Sequence, residues 1–123
     1  MPLKQKKAVV VGGSSGIGLA VSKVLVNSGA HVVIASRSSN KLDAAQRTIG
    51  VNTETYQLDV TQEERVQQFF EDMGPFDHLV CTAVSGINAP FLEMDIADAK
   101  AVFETKFWGQ YYAARYGAPK IRP

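Results

Sequence analysis

One cysteine, Cys81, in 123 residues leaves no partner for an intrachain disulfide, so the fold has to stand on packing and hydrogen bonding. Charge of one sign is equally scarce. Thirteen lysines and arginines stand against 12 aspartates and glutamates, a formal net charge of +1. Such a balance creates no long-range field for nucleic acid or an anionic membrane, and any bound anion must be held by local groups. No apolar run approaches the roughly 18 residues of a membrane-spanning helix. Met1 to Lys7 lack the long apolar stretch of a secretory signal. These absences predict a cytoplasmic protein in a reducing compartment, with neither nucleic acid nor membrane among its partners. Repeats, low-complexity tracts and linkers are absent too, so residues 1–123 are expected to form a single domain.

What is present is a hydrophobic content of 46%, arranged as short apolar runs that alternate with helical patterns. That rhythm predicts βαβ units and a parallel sheet. Ala8 to Val11 is β-branched and apolar on both faces, as a buried parallel strand must be. It leads directly into Gly12-Gly13-Ser14-Ser15-Gly16-Ile17-Gly18. A helix is expected from about Ile17 to Ser28, with Leu19, Ala20, Val24 and Leu25 on its apolar face and Gly29 as its stop. His31 to Ser36 reads as the second strand. Asn40 can cap a second helix ending near Gly50, and Thr55 to Leu58 reads as a third strand leaving through Asp59-Val60. Thr61-Gln62-Glu63-Glu64 has the form of a capping box, opening a helix that turns Val66, Phe69 and Phe70 inward and ends at Gly74-Pro75. His78 to Thr82 reads as strand four. Asp95 can cap the longest helix, expected from about Ile96 to Tyr116 and ending before Pro119. The expected total is four strands and four helices.

The glycine segment carries the chemistry. Glycines at 12, 16 and 18 permit a tight turn, near contact with phosphate oxygens and close packing of helix on strand, while the helix N-terminus supplies free N–H groups and the positive end of a dipole. Taken alone, a glycine-serine cluster can equally be a flexible loop. Its place between a β-branched strand and an amphipathic helix favours the anion cradle. Gly12, Ser14, Ser15, Gly16, Ile17 and Gly18 are its candidate residues.

The spacing Gly-x-x-x-Gly-x-Gly resembles the glycine motif of classical members of the short-chain dehydrogenase/reductase family, although Val11 stands where the family usually has threonine. The Gly-x-x-Gly-x-x-Gly of the extended members, which include sugar epimerases, is not matched. The resemblance implies an α/β, Rossmann-like, doubly wound parallel sheet of four strands in the order 3-2-1-4, with helices on both faces, truncated before strand five. At the end of strand two a carboxylate accepts from the ribose hydroxyls of NAD, whereas a base pairs with the extra phosphate of NADP. Ser36-Arg37-Ser38 stands there. Beside the glycine loop, Arg37 and Ser38 favour NADP(H) over NAD(H); without that loop, Arg37 would be a solvated arginine. By resemblance, Asp59 accepts from the adenine amino group and Val60 packs on the ring. Asp59 can also be a plain helix-start carboxylate.

The family pattern breaks in its second part. Asn-Asn-Ala-Gly usually follows strand four, where this chain has Cys81-Thr82-Ala83-Val84, so only Ala83 is carried over to the cofactor site. A cysteine in such a strand is more often a small hydrophobe than a redox thiol. Lys106, in Lys106-Phe107-Trp108-Gly109, occupies the place of the asparagine of the family's catalytic tetrad. Tyr116-Gly117-Ala118-Pro119-Lys120 matches the catalytic Tyr-x-x-x-Lys in letters only. Pro119 forbids a regular helix through the pair, and the pair is expected at the sheet edge opposite the cofactor. No catalytic residue is therefore assigned within the chain, beyond Lys106 as a candidate.

Two classes of function follow. One is the NADP(H)-binding portion of an oxidoreductase that transfers hydride between nicotinamide and a carbonyl or alcohol substrate, inactive by itself because the serine-bearing strand and catalytic helix lie in a further part of the protein. The other is a non-catalytic dinucleotide sensor or interaction module. Phe103, Phe107, Trp108, Tyr111 and Tyr112 are expected to be packing surface, and the resemblance implies homo-oligomer formation through helix 96–116.

Overall fold

The computed structural model describes residues 2–83 and 89–123; Val84 lies outside the described residues. Four parallel strands, β1 (Lys7–Val11), β2 (His31–Ser36), β3 (Thr53–Gln57) and β4 (His78–Cys81), form one sheet in the order β3-β2-β1-β4. Its crossover helices are α1 (Gly16–Asn27), α2 (Ser39–Ile49) and α3 (Glu63–Met73). After β4 comes α4 (Ile96–Phe103), a π-helical segment (Glu104–Gly109), α5 (Gln110–Gly117) and a short 3-10 turn (Ala118–Lys120).

Side chains of a strand alternate between its two faces, so a strand covered by helices on both must be apolar throughout. Ala8, Val10, Val32 and Ile34 pack with Leu42 and Ala45 of α2 on one face. Val9, Val11, Val33 and Ala35 pack on the other with Val66, Phe69 and Phe70 of α3, Phe76, and Ala113 of α5. The two cores are thus separated by the sheet itself, and the inward set expected for α3 is buried.

Local boundaries depart from the sequence reading where tertiary contacts outweigh local preference. The cap of α2 is Ser38, whose Oγ accepts from the Lys41 N–H at 3.3 Å; Asn40 is already inside the helix. β3 begins two residues before its expected start and ends at Gln57, because it pairs with β2 from Thr53 onward. As an edge strand it tolerates polar residues such as Glu54 that resemble a loop. The capping box does not form. Asp59 Oδ1 takes both the N–H and the hydroxyl of Thr61, at 3.0 and 2.7 Å, and α3 starts behind Gln62 without a side-chain cap.

In α1 the fully buried residues are Gly18 and Ser22, with Leu19 and Leu25 half-buried, while Ala20 and Val24 face solvent. Small residues bring this helix close to the sheet, and Ser22 satisfies its buried hydroxyl on Gly18 O at 2.8 Å. The long helix is interrupted rather than regular. Thr105, Gly109, Ala113 and Gly117 recur every four residues on its buried side. A period of four drifts around a 3.6-residue helix, and the π segment offsets part of that drift. Asp95 caps α4 as expected. Beyond the four strands, Ile121 forms a parallel bridge with Phe76, on the side of that segment turned away from β1.

Candidate functional site

All four strands point their C-terminal ends at one edge of the sheet, and a cleft of about 750 Å³ opens there. Crevices at this edge are where open parallel sheets bind ligands. Its floor is the turn after β1 and the start of α1. One wall is Ala35 to Ser38 with Lys41, another is Leu58 to Val60, and Thr82, Ala83 and Thr105 complete it. Gly12, Ser14, Ser15, Gly16, Ile17, Gly18, Arg37, Ser38, Asp59, Val60 and Ala83 all line this one cleft.

The turn is built for close approach. Gly16 has φ +55°, a conformation that side-chain-bearing residues rarely adopt, and nothing stands within 4 Å of where its β-carbon would be. Gly18 is constrained from the opposite direction, since a β-carbon there would lie 2.0 Å from Gly12 O. Ser15 leads into α1 without any side-chain cap, and the first turn holds no acidic residue. The first N–H groups of α1 therefore keep their hydrogen-bonding capacity, together with the positive dipole end. A donor-rich, uncharged cradle that would be filled by β-carbons fits a diphosphate.

Hydrogen bonds tie this cradle to its neighbours. Ser14 Oγ donates to Ser36 Oγ at 2.8 Å, and the Gly12 N–H donates to Ala35 O at 2.7 Å, so the turn is fixed to the end of β2. The Thr82 N–H extends the sheet onto Val11 O at 2.8 Å, with its hydroxyl 3.3 Å from Gly12 O. Gln57 Nε2 donates to Arg37 O at 2.9 Å and steadies the loop carrying the guanidinium. Asp59 keeps Oδ2 available while Oδ1 is held by Thr61.

Lys106 is exposed and does not line the cleft; the adjacent Thr105, buried in the π segment, does. Burial pushes the Cys81 thiol up from its ordinary value, consistent with a packing role. The Tyr116 hydroxyl donates to the Glu63 carboxylate at 2.5 Å, and that bond, followed by desolvation, raises its pKa. An acid-base tyrosine activated by a lysine would be shifted in the opposite direction. Lys120 O accepts from the Phe76 N–H just before β4 begins, at the edge of the sheet opposite the cleft. None of Phe103, Phe107, Trp108, Tyr111 or Tyr112 lines the cleft.

The sequence reading missed Lys41, Thr82 and Thr105. Lys41 stands three residues past Ser38 in the first turn of a helix, a spacing that could have placed it beside Arg37. Thr82 and Thr105 meet the cleft only through β4 and the π segment, which no local pattern announces.

The short chain dehydrogenase family model matches residues 6–122. The chain is 29% identical, over 99% of its length and 39% of the relative's, to a 3-dehydrosphinganine reductase of Arabidopsis thaliana. It is 30% identical, over 93% of its length and 46% of the relative's, to a 2-dehydro-3-deoxy-D-gluconate 5-dehydrogenase of Formosa agariphila. Among solved structures, a short chain dehydrogenase/reductase family protein superposes with a TM-score of 0.91 at 29% identity, covering 98% of this chain and 51% of that one. A short chain dehydrogenase from Bacillus anthracis gives 0.87 at 27% identity, covering 92% and 48%. The chain thus spans about half the length, or less, of these relatives. The sheet order, the glycine turn and the family match together place this chain in the short-chain dehydrogenase/reductase family.

Proposed function

We propose that this chain is the NADP(H)-binding portion of a longer oxidoreductase that transfers hydride between nicotinamide and a carbonyl or alcohol substrate. The observation that carries the reading is the wall at the end of β2. Ser36, Arg37, Ser38 and Lys41 line the cleft there, and Asp59, on the opposite wall, is the only acidic residue lining it among the described residues. Two cations and three hydroxyls, counting Ser14 behind Ser36, suit a phosphate monoester; a ribose diol would call for a carboxylate. When bound, the cofactor supplies or accepts the hydride. The chain's own residues hold its diphosphate at Gly12 to Gly18, its extra phosphate at Arg37 and Ser38, and its adenine beside Asp59 and Val60, with Ala83 toward the nicotinamide.

A reductase and a dehydrogenase among the relatives support the reaction class, and their differing substrates leave this one open. Residues 1–123 alone are expected to be inactive, since neither Tyr116 nor Lys106 lines the cleft. The outer aromatic face of α4 and α5, where Phe103 is 66% exposed, is our candidate for a homo-oligomer contact, in a protein of the reducing cytoplasm. Exposed Lys106 favours the second reading, a non-catalytic dinucleotide sensor, because it leaves the tetrad position empty of its usual amide.

The test is calorimetric titration of the full-length protein with NADPH and NADH, repeated with Arg37→Gln. NADPH should bind more tightly, and loss of the charge-assisted bonds should weaken it about 10- to 100-fold with NADH little changed. Equal or tighter binding of NADH sinks the NADP preference, and no binding of either sinks the reading. Turnover of carbonyl substrates by the full-length protein, against binding without turnover, separates enzyme from sensor.

A further inference from the structure

Arg37 lines two clefts. The second, of about 380 Å³, shares Leu58 and Asp59 with the first and lies between β3 and the start of α3, where Tyr56, Gln62, Arg65 and Gln68 line it. Two arginines, Arg37 and Arg65, line it, and neither is in an ion pair among the described residues, where the pairs are His31 with Glu54 and Arg122 with Asp77.

Asp59 is the one acid among the described residues lining this cleft, and its Oδ2 stays available. Asp59 Oδ1 is held by Thr61. Asp72 takes the Tyr56 hydroxyl at 3.3 Å and Gln68 Nε2 at 2.7 Å. Glu63, in the first turn of α3, takes the Tyr116 hydroxyl and does not line the cleft, nor does Glu64. In the lining itself two arginines and the Gln62 side chain stand against the single Asp59 carboxylate, so donors are in excess. Planar guanidinium forks match the oxygens of a phosphate or carboxylate in pairs, which a single ammonium cannot do.

We propose that this second cleft is an oxyanion site for a phosphate group, held jointly by Arg37 and Arg65. The phosphate comes either from a free anion such as inorganic phosphate or from the extra phosphate of the dinucleotide, and the second source rests on the function proposed above. Because Arg37 belongs to both clefts, the two are coupled. A free phosphate bound beside Arg65 draws the Arg37 guanidinium from the first cleft and weakens NADPH without weakening NADH. Arg65 sits on α3, outside the motif that places Arg37, and is the residue that reports on the second cleft alone.

The experiment uses the full-length protein, wild type, Arg65→Gln and Arg65→Lys, titrated with inorganic phosphate and with NADPH and NADH at constant ionic strength, so that general screening is the same throughout. Arg65 is exposed, and circular dichroism confirms that the variants fold. A free-phosphate site appears as phosphate binding that weakens at least about tenfold in Arg65→Gln, partly restored by Arg65→Lys. NADPH affinity in the absence of phosphate is then unchanged, and competition by phosphate against NADPH is lost. A site for the dinucleotide's phosphate appears as NADPH binding at least about tenfold weaker in Arg65→Gln, with NADH unchanged. Identical phosphate affinity and an identical NADPH to NADH ratio in wild type and Arg65→Gln overturn the proposal. A wild type that binds neither dinucleotide would instead overturn the proposed function, while the phosphate titration still decides this site.

Discussion

Two alanine substitutions six residues or fewer from Gly12 separate the packing role of the glycine turn from its binding role. In Gly18→Ala the new β-carbon would stand 2.0 Å from Gly12 O and 2.6 Å from Thr82 Oγ1. An ordinary contact needs about 3.4 Å, so α1 or the turn must give by about 1.4 Å. Neither yields easily, because the obstacle is a backbone carbonyl whose turn is tied to Ala35 and Thr82. Overpacking of this kind costs about 1–3 kcal/mol. With a rigid obstacle the upper value applies, and the better helix propensity of alanine returns about 1 kcal/mol. The expected net loss is about 2 kcal/mol.

Gly16→Ala meets no atom within 4 Å. Its cost is the left-handed backbone, about 1–2 kcal/mol, less about 0.4–1 kcal/mol from a stiffer unfolded chain. The new methyl instead occupies the open space a diphosphate would approach. Urea unfolding of the full-length protein should therefore show a midpoint lower by about 1 M at unchanged slope for Gly18→Ala, and a clearly smaller shift for Gly16→Ala. Both should bind NADPH at least about tenfold more weakly. A Gly18→Ala protein within about 0.5 kcal/mol of wild type would refute the packing argument. Wild-type NADPH binding by Gly16→Ala would refute the cradle.

Other substitutions probe the rest of the fold. Phe70 is fully buried between Phe69 and Phe76, and Phe70→Ala should cost about 3–5 kcal/mol in denaturant unfolding; a loss under about 1 kcal/mol would mean the core repacks. Asp77 accepts the Lys7 N–H at 2.8 Å, and that bond, with Arg122 and Lys6 nearby, outweighs desolvation and holds its carboxyl below the usual range. A depressed carboxylate stabilises above its unfolded pKa and loses that contribution as pH falls through the folded one. Asp77→Asn should therefore lower stability at neutral pH and flatten its acid dependence, and parallel unfolding curves of wild type and variant from neutral to acid pH would contradict the assignment. Burial keeps the Cys81 thiol protonated, so alkylation near neutral pH should be slow in the native protein and fast in urea; equal rates would show an accessible thiolate.

Much of the fold was legible because its signals are local. Val9 to Val11 and Val32 to Ala35 are apolar on both faces and read directly as central parallel strands. β3 was less legible, since its polar Glu54 fits an edge but looks like a loop. The caps failed for a related reason: Ser38 and Asn40 are both competent and α2 starts directly behind Ser38, while Asp59 took Thr61 out of its capping box. Periodicity anticipated the buried face of α3. It misjudged α1, whose close contact with the sheet is made by Gly18 and Ser22 rather than by its largest apolar residues.

The strand, glycine turn and helix at Ala8 to Asn27 needed nothing beyond the sequence, since their geometry depends on neighbours in the chain and on which residues tolerate the turn. Arg37 at the end of β2 could be read the same way. The convergence of four strand ends on one cleft, the entry of Thr82 and Thr105 into its lining, and the sharing of Arg37 with Arg65 were decided only by the tertiary structure. These residues lie far apart along the chain, and hydrophobic burial against the sheet, which carries no local signature, is what brings them together.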